Sequence, residues 1–223
     1  MKKTALFIIA LFPVSLYSQV ETHYYQKEDT IHSEFMKIKG LGSSNVVKMP
    51  KFDLQELIEE DQRMESNNLP YRFGKPFNVS YSLNDGAWTN VDNGRLWTLS
   101  FSSDGAKSLN FVFDNFHLSE GSKLYIENQK GTVLYGPVTT RDVPQSGFFL
   151  TDIIPGDKVT IYLFEPSDVK EPSTLTIRRV VHGYRGNLIS DPYGNVGASA
   201  NCHIDVACEP SYAKESNAVA LIE

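Results

Sequence analysis

The chain has 223 residues, a formal charge of −6, 41% hydrophobic residues and 12% aromatic ones. That is enough apolar material for a packed core, so disorder is not the default. Removing Lys2 and Lys3 with the leader described next takes the charge to about −8, and no basic cluster remains; this argues against nucleic acid or an anionic membrane as partner.

The first 18 residues read as a secretory signal peptide. "MKK" is a short basic start, and "TALFIIALFPVSLYS" is an apolar run too short to span a bilayer. Ser18 and Gln19 flank the expected cleavage point. The product is expected to be secreted, cell-surface or periplasmic, with no membrane attachment once the signal is removed, in a compartment where disulfides persist.

Residues 19–70 form a lead-in. Its first part, 19–50, is mixed and polar with "GLGSSN" at 40–45, and reads as poorly ordered or extended. In "PKFDLQELIEEDQRMESNN", Leu54, Leu57, Ile58 and Met64 recur near helical spacing. Asp53, followed three residues later by Glu56, resembles a capping box. Asn67, Asn68 and Pro70 end the pattern. An amphipathic helix is predicted, with its acidic side in solvent.

From Tyr71 to Tyr184 the period becomes two. "FNVSYSL", "RLWTLSFS", "SLNFVFDNF", "KLYIENQ", "TVLYGPV", "GFFLTDI", "KVTIYLFEP" and "TLTIRRVVHGY" are rich in β-branched and aromatic residues. "NDG", "DNG", "SDG", "QKG" and "PGD" punctuate them. Residues 71–184 are predicted to be an antiparallel β-sandwich of jelly-roll or Ig-like topology. Trp97, Leu99 and Phe101 alternate on one face, as do Phe111 and Phe113; both sets are assigned to the core.

Residues 185–200, "RGNLISDPYGNVGASA", lose the period and gain turn formers, which marks a linker. Arg185–Gly186 is its only basic junction and a candidate processing site. Beyond it, "NCHIDVAC" holds both cysteines, Cys202 and Cys208. If that stretch is a strand, six residue steps separate them by roughly 20 Å, whereas a disulfide needs Cα atoms within about 7 Å. No Gly, Pro or Asn between them makes a turn, so each wants a partner elsewhere. Three readings stand: two buried thiols, a metal site with His203 and Asp205, or disulfide partners beyond Glu223. The metal reading is the weakest, because zinc knuckles space their cysteines more closely and neighbouring strand residues diverge.

The same stretch carries a resemblance. "SANCHIDVACEP" followed by "NAVALIE" is similar to the opening of the mature lysyl endopeptidase-type, trypsin-like serine peptidases of bacteria. Cys202, Ile204, Asp205, Val206 and Cys208 match the family's run in type and spacing, Pro210 falls one place late, and Ala218, Val219 and Ile222 match its first barrel strand. His203 replaces the usual Asn, and Ala200 stands where Gly or Ser is common. The resemblance implies that both cysteines bond to cysteines far downstream. It also implies that residues 201–223 begin an incomplete protease domain, that the β-sandwich is a propeptide, and that the chain is the N-terminal part of a precursor acting on polypeptide substrates. The partner implied for the β domain is the downstream catalytic domain of the same precursor.

No complete triad is expected within this chain. His23, His32, His117, His182 and His203 lack the family's Ala-His-Cys-like setting, and the Gly-(Asp/Asn)-Ser-Gly-Gly-like nucleophile motif is absent. The chain alone is therefore predicted to be inactive, without cofactor or metal. The alternative function is a non-enzymatic exported β-sandwich that binds carbohydrate or protein. In that reading Trp88, Tyr125, Tyr135 or Tyr162 would stack on a sugar if exposed.

Overall fold

The computed structural model describes residues 20, 22–24, 30–39, 44–67 and 72–185. The chain divides into two units, Met1–Tyr184 and Arg185–Glu223. Of the second, only Arg185 is among the described residues.

The first unit begins with a short strand, β1 (Thr22–Tyr24), then helix α1 (Thr30–Lys39), strand β2 (Asn45–Lys48) and helix α2 (Leu54–Ser66). Strands β3 (Gly74–Ser82), β4 (Ala87–Val91), β5 (Gly94–Ser102), β6 (Ser108–His117), β7 (Lys123–Asn128) and β8 (Val133–Val138) follow. Two short bridges, β9 (Phe149–Leu150) and β10 (Ile154–Pro155), lead into β11 (Lys158–Pro166) and β12 (Thr174–Gly183). The fold is mainly β, in two sheets with no closed barrel among the described residues.

One sheet has the order β1-β8-β7-β11-β5-β2, with β4 also on β5; the other has the order β10-β6-β12-β3, with β9 also on β6. All pairings are antiparallel except that of β2 with β5. Along one edge, β5 is paired first with β4, from Val91↔Gly94 to Ala87↔Thr98, and then with β2, from Asn45↔Leu99 to Lys48↔Ser102. The lead-in thus supplies part of the sheet.

Alternation sends Trp97, Leu99 and Phe101 of β5 into one core with Phe111 and Phe113 of β6 and Ile177 and Val180 of β12. Phe101 and Phe111 meet across the two sheets at 5.2 Å between ring centroids. The Trp97 indole N–H donates to the Leu83 carbonyl at 3.0 Å, so burying this ring strands no donor. The Trp97 ring lies over Gly86, where a Cβ would clash.

Three expectations are corrected. Residues 30–39 are helical, not extended, and the helix has a function in packing. Phe35 is fully buried against Tyr125 and Tyr162 at 5.0 and 5.1 Å, and Lys39 donates to Glu127 at 2.6 Å. These contacts place α1 over the outer face of the larger sheet. "GFFLTDI" forms no continuous strand. Thr151 replaces one ladder bond with its hydroxyl, which accepts the Phe111 N–H at 3.0 Å, and the edge breaks into β9 and β10. Finally, α2 is capped as expected, Asp53 accepting from the Gln55 and Glu56 N–H groups at 2.9 and 3.1 Å, but its acidic residues do not all face solvent. Asp61 is 2% exposed.

Candidate functional site

Ser18, Gln19, Gly186, Cys202 and Cys208, with His203 and Asp205, lie outside the described residues. Arg185 is described and half-buried, directly after the last strand. The sugar-stacking positions are not a platform. Tyr125 and Tyr135 are buried, and burial pushes the Tyr135 hydroxyl well above its ordinary pKa. Tyr162 is half-buried beneath Phe35, with its hydroxyl pushed up to about 12 by burial and then by the Glu127 charge. The half-buried Trp88 ring is covered by the Arg95 guanidinium at 4.1 Å.

The most developed polar site is where the described unit ends. Tyr184 follows β12 and is buried. Its hydroxyl donates to Asp61 Oδ2 on α2 at 2.6 Å, and its backbone N–H donates to the Phe73 carbonyl at 3.2 Å. Arg72, at the entrance to β3, completes the set. Its Nε donates to Asp61 Oδ1 at 2.8 Å and its Nη2 to Glu60 Oε2 at 2.8 Å. Glu60, ahead of the opposing effect of burial, raises the Arg72 pKa further above its ordinary value. Burial and then the Asp61 bond push Tyr184 up to about 12, so the hydroxyl stays protonated and remains a donor. A buried carboxylate shared by an arginine and a tyrosine joins α2, the start of β3 and the end of β12 in one latch.

Sequence patterning missed this latch, although a signal was present. Asp61 stands four residues after Leu57, on the stripe that faces inward, and an acid at such a position calls for a cation.

Two residues earlier on β12, His182 is 2% exposed. Its Nδ1 shares a hydrogen bond of 2.7 Å with Ser103 Oγ, and the Phe52 ring meets the imidazole edge-on at 4.9 Å. Burial lowers the His182 pKa, so the ring is neutral near pH 7. A cavity of about 250 Å³ lies beside it, lined in part by Lys51, Phe52 and Asp104. This pair has the atoms of a nucleophile and base, yet both residues are buried. Among the described residues no carboxylate is hydrogen-bonded to His182 to orient it, which a working triad requires. It acts as a buried polar tie between β12 and the turn after β5.

The opposite end of the two-sheet body holds another buried carboxylate. Glu165 of β11 is fully buried and accepts Arg95 Nε at 2.9 Å, the Ser173 N–H at 2.7 Å and the Ser119 hydroxyl at 3.3 Å. Burial alone would raise its pKa; the Ser173 N–H and Arg95 outweigh it and hold the carboxyl below its ordinary value. Every one of these contacts is internal to the fold.

Among the described residues, no group of three or more His, Cys, Asp or Glu side chains is placed to hold a metal ion. Nor is any helix there long and apolar enough to cross a membrane. No protein-family model matches the chain.

Proposed function

We propose that this chain is the N-terminal portion of a secreted serine endopeptidase precursor of the trypsin-like, lysyl endopeptidase-like kind. In this reading the two-sheet domain, a sandwich of jelly-roll or Ig-like type, is the propeptide. Residues 201–223 begin the protease barrel, and Cys202 and Cys208 pair with downstream cysteines. The observation that carries the proposal is the run "SANCHIDVACEP" with "NAVALIE" at residues 199–223, where two cysteines that cannot reach each other along a strand stand at the family's spacing. The latch at Tyr184 supports it, because it gives the β domain a fixed end immediately before the linker.

The whole precursor would hydrolyse peptides through an acyl-enzyme, with a serine nucleophile, a histidine base and an oxyanion hole supplied downstream. The test compares residues 19–223 with the complete gene product on Lys and Arg ester substrates. Activity in the complete product alone, blocked by a serine-directed phosphonate, supports the proposal. Phosphonate-sensitive turnover by residues 19–223, or none by either protein, overturns it.

A further inference from the structure

Beyond its pairing with β9, the end of β6 stands beside an open cleft. β6 carries one residue more than β12 across this stretch, since Asp114 pairs with Thr176 and His117 with Thr174. Asn115 absorbs the extra residue at a left-handed φ of 49°. A bulge of this kind re-aims side chains, and Asp114, Asn115 and His117 are all exposed. The loop after β8 returns to β6 where the Phe116 N–H donates to the Gly147 carbonyl at 2.9 Å. Between loop and strand lies a cleft of about 610 Å³, within the size range of ligand pockets. Phe116, Leu118 and Val143 give it apolar lining, and Gln145 lines it from the loop. Asn115 uses its backbone in the fold: its N–H donates to Asp114 Oδ1 and its carbonyl accepts the Thr174 hydroxyl. Its side-chain amide is left for a ligand. Arg178 pairs with Asp114 at 3.5 Å and stands 5.7 Å from the centroid of the Phe148 ring, which places that ring at the rim. Phe148 is 40% exposed, in contrast to the covered Trp88.

The chemistry of the lining narrows the ligand class. Among the described residues no lysine or arginine lines the cleft, so a phosphate, sulfate or carboxylate finds no cation there. Its single carboxylate, Asp114, is paired with Arg178, and no group of three metal-ligating side chains is present among the described residues. An extended peptide adding as a strand finds the β6 backbone engaged on both sides, by Gly147 and by β12. What fits is a molecule rich in neutral hydroxyls with apolar C–H faces. The amides of Asn115 and Gln145 and the His117 imidazole each offer donor and acceptor atoms to such hydroxyls, and an exposed aromatic ring offers a surface for the C–H face. We propose that this cleft binds a neutral oligosaccharide, with Asn115, His117 and Gln145 holding its hydroxyls and Phe148 stacking on a sugar ring. The inference goes beyond the precursor reading and does not rest on it; it gives the two-sheet domain a binding activity of its own.

The test runs residues 19–223 through native gels cast with galactomannan, mixed-linkage β-glucan, arabinoxylan or soluble starch, and with heparin and β-casein as the anionic and peptide alternatives. At least one neutral polysaccharide is expected to retard the chain, and its oligosaccharides then give a dissociation constant by calorimetry. Asn115→Gly keeps the left-handed backbone and removes the amide. Asn115→Gly, Gln145→Ala and Phe148→Ala should each weaken binding by about three- to tenfold, with the circular dichroism of the parent retained. Val46→Ala alters an exposed apolar side chain at the far edge of the larger sheet and should leave binding unchanged. Retardation by none of the neutral polysaccharides, by heparin or casein alone, undiminished in the three cleft variants, or equally diminished in Val46→Ala would each overturn the proposal. Should one cleft variant fail to fold, the other two decide. Failure of the precursor reading would appear in the peptidase activity of the complete gene product and leave these gels unchanged.

Discussion

The two ends of the β domain each bury a carboxylate against an arginine, but they do so in different company. At the Glu165 end the partners are Arg95, Ser119 and Ser173, all belonging to the sheets or to the loops that join them. At the Asp61 end the carboxylate sits on a helix and holds Tyr184, the last residue of the unit. A carboxylate sealed among strands is lost only when the sheets part. One that joins a helix to a strand end is lost by a smaller, local opening. The first end is tied to the pairing of the sheets; the second is tied to the docking of α2 on the strand ends.

The largest effect should follow damage to the sealed end or the core. Glu165→Ala takes the acceptor from the buried Ser173 N–H and the carboxylate from Arg95, and should cost about 3–5 kcal/mol. Trp97→Ala should cost a similar amount, about 3–5 kcal/mol, through the cavity it opens. Urea unfolding followed by circular dichroism measures both. A loss under about 1 kcal/mol at Glu165 would remove the distinction between the two ends.

Phe35→Ala comes next, at about 3 kcal/mol, because it empties the contact of α1 with Tyr125 and Tyr162. A mutant as stable as the parent would mean that α1 contributes nothing to the larger sheet.

Acid should separate the ends in order. His182 has a lowered pKa in the fold, so its contribution is complete above the unfolded value of about 6.5. As pH falls through that value, the unfolded chain takes up a proton that the folded chain refuses, and stability declines. Glu165 is also lowered, so its contribution persists to more acidic pH and fades as pH falls through its folded pKa. His182→Gln should flatten the pH dependence of stability that sets in below about pH 6.5, and Glu165→Gln the part that sets in below about pH 4.5. Parallel curves for His182→Gln and the parent would show that the imidazole titrates alike in both states. Tyr184→Phe should have the smallest effect on global stability, about 1 kcal/mol, since Arg72 still satisfies Asp61.

Much of the body was legible in the sequence because strands buried on one face declare themselves by alternation. The alternating runs span nearly the observed limits of β5, β6, β7, β11 and β12, and the Asp53 cap marks the start of α2. What escaped depended on contacts distant in the chain. Helix α1 is held by Phe35 fitting beneath Tyr125 and Tyr162, about ninety to one hundred and thirty residues later, and no local pattern reports such a fit. The same contact hid those tyrosines, which an alternation rule places outside. β2 shows too few residues for a period, and its parallel partner β5 lies about fifty residues on. Turn signals located the ends of strands without telling hairpins from crossings. "DNG" joins β4 to β5 within one sheet, whereas "NDG" carries the chain from β3 in one sheet to β4 in the other. At the candidate site, Arg185 was legible as a basic junction. That Tyr184 is fixed by Asp61 was not, because it joins residues 123 positions apart.

The proposal that the two-sheet domain is the propeptide of a following protease places a cut after Tyr184. N-terminal sequencing of the mature secreted product tests it most directly. The mature chain is expected to begin between Gly186 and Asn201, past the last strand of the two-sheet domain and before Cys202. A mature N-terminus inside the two-sheet domain, or a product that keeps the domain attached, would contradict it.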